Sequence, residues 1–113
     1  MLKVVDLEMG AKILGGDERG AKEMLTMLVN TLDETQVGLL DAYQKKQYDQ
    51  LEWRVHKLHG GATYCGVPKL KASANKLESL LTSQDFDQVN LAFSELMQAL
   101  QDVKSAYAHL DWT

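Results

Sequence analysis

Two of the chain's three histidines, His56 and His59, stand about one helical turn apart in the run Val55-His56-Lys57-Leu58-His59-Gly60-Gly61-Ala62. An imidazole near neutral pH is a base and a nucleophile at once, so this segment can do chemistry that its neighbours cannot. At about 100° per residue, His56 projects roughly 130° away from the stripe of Leu51, Val55, Leu58 and Ala62. It faces solvent or the rim of a bundle, with Glu52, His59 and Thr63 on its side of the helix. Gly60 follows at i+4, and Gly61 stands beside it. Two glycines inside a helix cost roughly 1 kcal/mol each against alanine. Kept next to an outward histidine, they leave a bare surface on which another protein can dock.

The following helix supplies a polar flank of Lys71, Asn75 and Glu78. Antiparallel packing across Gly66-Val67-Pro68 brings Glu78 toward His56. A carboxylate that accepts a hydrogen bond from Nδ1–H fixes the tautomer and leaves Nε2 as the free nucleophile. A cationic neighbour then stabilises the charge of an incoming phosphoryl group. Nothing in the chain forms a glycine-rich phosphate cradle, a Walker lysine or a metal-binding carboxylate cluster. The segment can accept and pass on a phosphoryl group but has no means of binding ATP. Metal chelation by His56 and His59 is the competing chemistry. The i, i+3 spacing allows it, but further ligands are not obvious, because Cys65 falls on the core side of the helix. Cys65 reads as a small buried filler, and His109 has no assignable role.

The elements that must position these groups are helices. Apolar residues recur at three and four rather than two, and Ala, Leu, Lys, Glu and Gln dominate. Asp6 N-caps a first short helix that stops at Gly15-Gly16, and Asp17 N-caps a second. Ala21, Met24, Leu28, Leu32, Leu39 and Tyr43 follow at helical spacing over about seven turns, with a candidate bend at Asn30-Thr31. Met24 and Met27 read as core or near-core. Gln44 to Gln47 is a short connection. A third helix runs from about Tyr48 to Tyr64, where Gly66 suits the C′ position and Pro68 the first turn of the next. The fourth carries Leu70, Ala74, Leu77 and Leu81. Ser83 caps the last, with Phe86, Val89, Phe93, Leu96, Leu100, Val103, Tyr107 and Leu110 on one seam. The fold class is all-α: an up-down antiparallel four-helix bundle with a short extra N-terminal helix.

Composition fits that picture and excludes several others. With 113 residues, residues 1–113 form one domain, with room for a core that needs no staples. The single cysteine rules out an internal disulfide framework or a cysteine-rich zinc module. A net charge of −4 argues against nucleic-acid binding, because phosphate backbones demand clustered Lys and Arg. No apolar run reaches the length of a membrane span, and the N-terminus has no secretory h-region, so the expected compartment is cytoplasmic.

His56-Lys57-Leu58-His59-Gly60, followed by Gly61-Ala62, resembles the H-x-x-K-G-(A/S) signature of histidine-containing phosphotransfer (HPt) domains. Tyr64-Cys65-Gly66-Val67-Pro68 is similar to the extension found in the C-terminal HPt domains of BarA/GacS-type hybrid sensor kinases. The resemblance covers nearly the whole chain. It implies that His56 is the phosphorylated residue, that Gly60 clears space beside it, and that Glu78, 22 positions on, holds the imidazole. His59 stands where the family has lysine, as a weaker and pH-dependent cation for the phosphoryl group.

The implied function is that of a phosphorelay intermediate without kinase activity of its own. It takes a phosphoryl group from a receiver-domain aspartate of the parent hybrid kinase and passes it to the receiver of a response regulator. The resemblance further implies that the receiver supplies the Mg²⁺, with no cofactor in this domain, and that the domain is monomeric. The parent kinase would tether it to the inner membrane, with no membrane contact of its own. Lys57, Gly60, Gly61 and Tyr64 are the expected docking positions. The alternative is a helical interaction module that docks receivers and carries no phosphate.

Overall fold

The computed structural model describes residues 2–110. Five α-helices follow one another: α1 Leu7–Ile13, α2 Glu18–Gln44, α3 Tyr48–Thr63, α4 Pro68–Thr82 and α5 Val89–Ala108. There is no strand among the described residues. Helix α2 packs on α3 and α5, α4 packs on the same two, and α1 lies against α2. The result is the expected four-helix bundle, α2 to α5, with α1 as the extra helix. A helix of 27 residues rises about 40 Å at 1.5 Å per residue, and α2 accordingly sets the 43 Å long axis of the molecule.

The caps explain where the first helices begin. Asp6 Oδ1 accepts from the Met9 amide at 3.0 Å, and Asp17 Oδ1 accepts from the Gly20 amide at 2.8 Å. Each satisfies one of the donors that a helix start leaves free. Between α1 and α2, Gly15 and Gly16 take φ of +73° and +94°, where a Cβ would be strained. Pro68 occupies the first turn of α4, as its missing N–H suits. Gly66 adopts φ +65° but stands one position beyond the expected C′, because α3 closes at Tyr64. Its carbonyl accepts from the Asp6 amide at 2.7 Å, and the Lys69 amide donates to Lys3 at 3.2 Å. The N-terminal segment is thereby tied to the α3–α4 turn.

The core is apolar throughout. Leu32, Leu39, Leu51, Val55, Leu70, Leu77, Leu96, Leu100 and Val103 are fully buried. Three sequence expectations need correction. Met27 is 64% exposed, and Leu25, two residues earlier, takes the core position, continuing the Ala21–Leu28–Leu32 side of α2. Ser83 does not cap α5; it closes α4, its hydroxyl donating to the Leu80 carbonyl at 3.3 Å. The chain then reverses through Gln84 at φ +57° and a 3₁₀ turn, Phe86–Gln88, before α5 begins. Phe86 therefore leaves the α5 seam. It is partly exposed and stacks on Tyr48, with ring centroids 4.7 Å apart. Cys65 is buried as expected, its Sγ 3.1 Å from the Gly61 carbonyl oxygen. Burial pushes its thiol pKa up. Leu110 is half-buried against the core, whereas residues 111–113 lie outside the described segment.

Candidate functional site

The hairpin of α3 and α4 builds the site. His56 and Glu78 stand eleven residues either side of Val67, so two antiparallel helices that leave this turn bring them level. On α3, the stripe of Leu51, Val55, Leu58 and Ala62 is buried and turns His56 outward. Its side chain is 71% exposed. On α4, Leu77 is buried and its neighbour Glu78 lies at the edge of the stripe, facing α3 with only 20% of its side chain exposed.

His56 Nδ1 pairs directly with Glu78 Oε2. A carboxylate can only accept, so the proton sits on Nδ1 and the lone pair is left on Nε2, at the exposed edge of the ring. This is the geometry expected of Glu78. His59, expected as a cation for the phosphoryl group, lies deeper than His56. Its Nδ1 lies 3.0 Å from Glu78 Oε1, and its side chain is only 24% exposed. Glu78 thus bridges two imidazoles. Around this centre, the Thr82 hydroxyl donates to Glu52 Oε1 at 2.8 Å, and the Thr63 hydroxyl donates to the His59 carbonyl at 2.8 Å. These bonds tie α4 to α3 above the site and occupy the last turn of α3.

The outward face of α3 continues from His56 over Gly60, Lys57 and Tyr64. A Cβ built on Gly60 meets nothing within 4 Å, and one on Gly61 meets only Leu28 Cδ1 at 3.7 Å. Neither glycine is required by packing inside the chain. Tyr64 is 55% exposed. Lys57 Nζ lies 5.1 Å from the ring centroid of Trp53, which is itself 60% exposed. The sequence reading passed over Trp53. Its signal was a large aromatic residue at i−3 from His56 and off the buried stripe. Arg54 was missed too; its guanidinium lies across α2, where a Cβ on Gly38 would come within 2.5 Å of Nη1. An alanine at Gly38 would require the Arg54 guanidinium to shift. Among the described residues, no group of three or more His, Cys, Asp or Glu side chains is arranged to hold a metal ion.

The chain is a helical bundle that presents a solvent-facing imidazole whose Nδ1 pairs with a carboxylate of the next helix. The Hpt domain family model matches residues 23–106, and the chain belongs to that family. Among its relatives is the sensor histidine kinase GacS of Pseudomonas protegens, 37% identical over 84 residues, which are 74% of this chain and 9% of that protein. Sensor protein GacS of Pseudomonas syringae pv. syringae is 33% identical over 97 residues, 86% of this chain and 11% of that protein. The chain therefore spans about a tenth of the length of these curated relatives. The fold is similar to the crystal structure of the HPt domain of a Shewanella hybrid histidine kinase. That structure has a TM-score of 0.76 and 26% identity, with 96% of this chain and 97% of that one covered. HPt domains are phosphorelay intermediates of two-component systems, and in hybrid kinases they interact with receiver domains. Among the described residues no helix is long and apolar enough to cross a membrane.

Proposed function

We propose that this chain carries a phosphoryl group on His56 between two receiver domains, one in a hybrid sensor kinase and one on a response regulator. The observation that carries the reading is the pairing of His56 Nδ1 with Glu78, which leaves Nε2 unprotonated on an exposed surface. A receiver bearing an aspartyl phosphate docks over α3. Nε2 attacks phosphorus in line; the N–P bond forms as the P–O bond to the aspartate breaks, and the aspartate leaves as a carboxylate. The proton on Nδ1 stays in place, so positive charge develops on the ring beside Glu78, where it is stabilised. Transfer to the second receiver is the reverse of these steps.

The receiver supplies the acidic pocket and the Mg²⁺; this domain supplies the nucleophile and the docking face. Gly60 and Gly61 admit the receiver's backbone, while Lys57 and Tyr64 contact its rim, in a modest and transient interface. The domain works as a monomer on the cytoplasmic side, as the C-terminal part of a longer kinase.

The test mixes the chain with a receiver domain of a BarA/GacS-type kinase, phosphorylated on aspartate with Mg²⁺ present, and follows the phosphate on a phosphate-affinity gel. An acid-labile, base-stable band in the native chain and none in His56→Gln is the expected result. Receiver binding without phosphate on the native chain, across several receivers, overturns it in favour of a docking module.

A further inference from the structure

Glu78 serves two rings at once. Its Oε2 meets Nδ1 of His56, and its Oε1 lies 3.0 Å from Nδ1 of His59. Both imidazoles come from α3, and both approach through the same ring atom. Because the carboxylate only accepts, each Nδ1 carries a hydrogen directed at it. The two rings differ in burial: His56 is the outer one and His59 the inner one, three-quarters covered. Asn75, Ser79, Thr82 and Ser83 line the same hollow. The hydroxyls of Thr82 and Ser83 are directed to Glu52 and to the Leu80 carbonyl. Among the described residues, the two imidazoles are the recorded donors to Glu78.

We propose that His59 is a positioning residue for phosphotransfer at His56, acting through Glu78 rather than as a cation toward the phosphoryl group. The proposal rests on the reading of His56 given above. Glutamate has three rotatable side-chain bonds, and a single hydrogen bond to an exposed ring does not hold all three. His59, packed inside the hairpin, pins Oε1 and thereby aims Oε2 at His56. That aim matters at two moments. Before transfer it keeps the proton on Nδ1, whereas an unconstrained histidine side chain prefers its proton on Nε2, the atom that must attack. During transfer, as the N–P bond forms and the donor's P–O bond breaks, the ring becomes cationic and Oε2 must already be in place. His59 Nδ1 is committed to Glu78 and its ring is three-quarters covered, so it sits behind the carboxylate rather than on the outer rim with His56.

The experiment uses the 113-residue chain with phosphoramidate as a chemical phosphodonor, so no receiver is needed. Long-range ¹H–¹⁵N NMR reads the tautomer of His56, and the rate of phosphohistidine formation is measured alongside. In the native chain the Nδ1–H tautomer of His56 predominates. His59→Ala, which improves helix propensity and keeps the fold, moves His56 toward Nε2–H and slows phosphorylation roughly three- to tenfold, the effect of one lost hydrogen bond. His59→Asn places an amide donor near the former Nδ1 and restores the tautomer and most of the rate. An unchanged tautomer and rate in His59→Ala, with His56→Gln inactive, overturns this inference alone. A slower rate with an unchanged tautomer and no rescue by Asn also overturns it, since His59 then acts on the phosphoryl group directly. Phosphorylation that survives in His56→Gln overturns the reading of His56 itself.

Discussion

Replacing Gly60 by alanine separates what the site needs from what the fold needs. Gly60 lies inside α3, is exposed, and has no positive φ; a Cβ there meets no atom within 4 Å. Nothing in the chain resists the substitution. The intrinsic difference between glycine and alanine in an exposed helix interior is about 0.8–1 kcal/mol in favour of alanine. For a domain of this size, that raises Tm by about 4 °C. The same methyl group projects from the surface one turn beyond His56, where the receiver must bring its phosphorus to Nε2. Displacing a reacting pair by about 1 Å can cost up to a hundredfold in rate, so a loss of about tenfold in transfer is expected. Thermal unfolding followed by circular dichroism gives the first quantity, and single-turnover transfer from a phosphorylated receiver gives the second. Gly61→Ala, whose Cβ would be in ordinary contact with Leu28, tests the second docking glycine in the same two assays. The expected signature is stability up and transfer down at Gly60. A rise in stability with undiminished transfer would refute docking clearance as the reason for the glycine.

Three further outcomes follow from particular contacts. Glu78→Gln keeps the shape but presents an amide N–H to one of the two imidazoles and loses the charge. It should slow phosphorylation of His56 about five- to thirtyfold, the difference of one to two kcal/mol between charge-assisted and neutral hydrogen bonds, with little change in Tm. Gly66→Ala should destabilise by roughly 2–4 kcal/mol in urea unfolding, because φ is +65° and a Cβ there meets the Asp6 carbonyl and the Gly10 backbone. A loss under 1 kcal/mol would mean that the N-terminal segment is not held at this turn. Cys65, buried and with its thiol pKa pushed up, should react with iodoacetamide far more slowly than the unfolded chain at pH 8. Because the unfolded thiol ionises first, stability should fall as pH rises above the ordinary thiol range; a Cys65→Ala variant should lack that component.

Much of the site was legible because an antiparallel hairpin is a mirror in sequence. Once Gly66-Val67-Pro68 is read as the turn, His56 and Glu78 must come level, and the two buried stripes decide that His56 turns outward while Glu78 lies between the helices. What stayed hidden depends on contacts that periodicity does not carry. Met27 is a different kind of miss: at 100° per residue it lies about 120° from the Ala21–Leu28–Leu32 line and Leu25 only about 40°, so the helical angle itself favours Leu25 as the core residue. The turn before α5 escaped because Ser83 can cap a start or close an end, and only the left-handed Gln84 decides which. That the Arg54 guanidinium lies over Gly38 is likewise a contact no spacing rule reveals.

His59 is the instructive case. Its spacing from His56 puts it on the right side of α3, and its type allows a cation, so the sequence offers two roles. Side-chain burial separates them. A ring on the outer rim is open to a phosphoryl group, whereas this ring is three-quarters covered and turns Nδ1 to Glu78. A lysine at this position, with its long stem, could carry its ammonium out to the rim past Glu78. Histidine has no such reach, and on the proposed role its contribution is a fixed carboxylate behind the nucleophile.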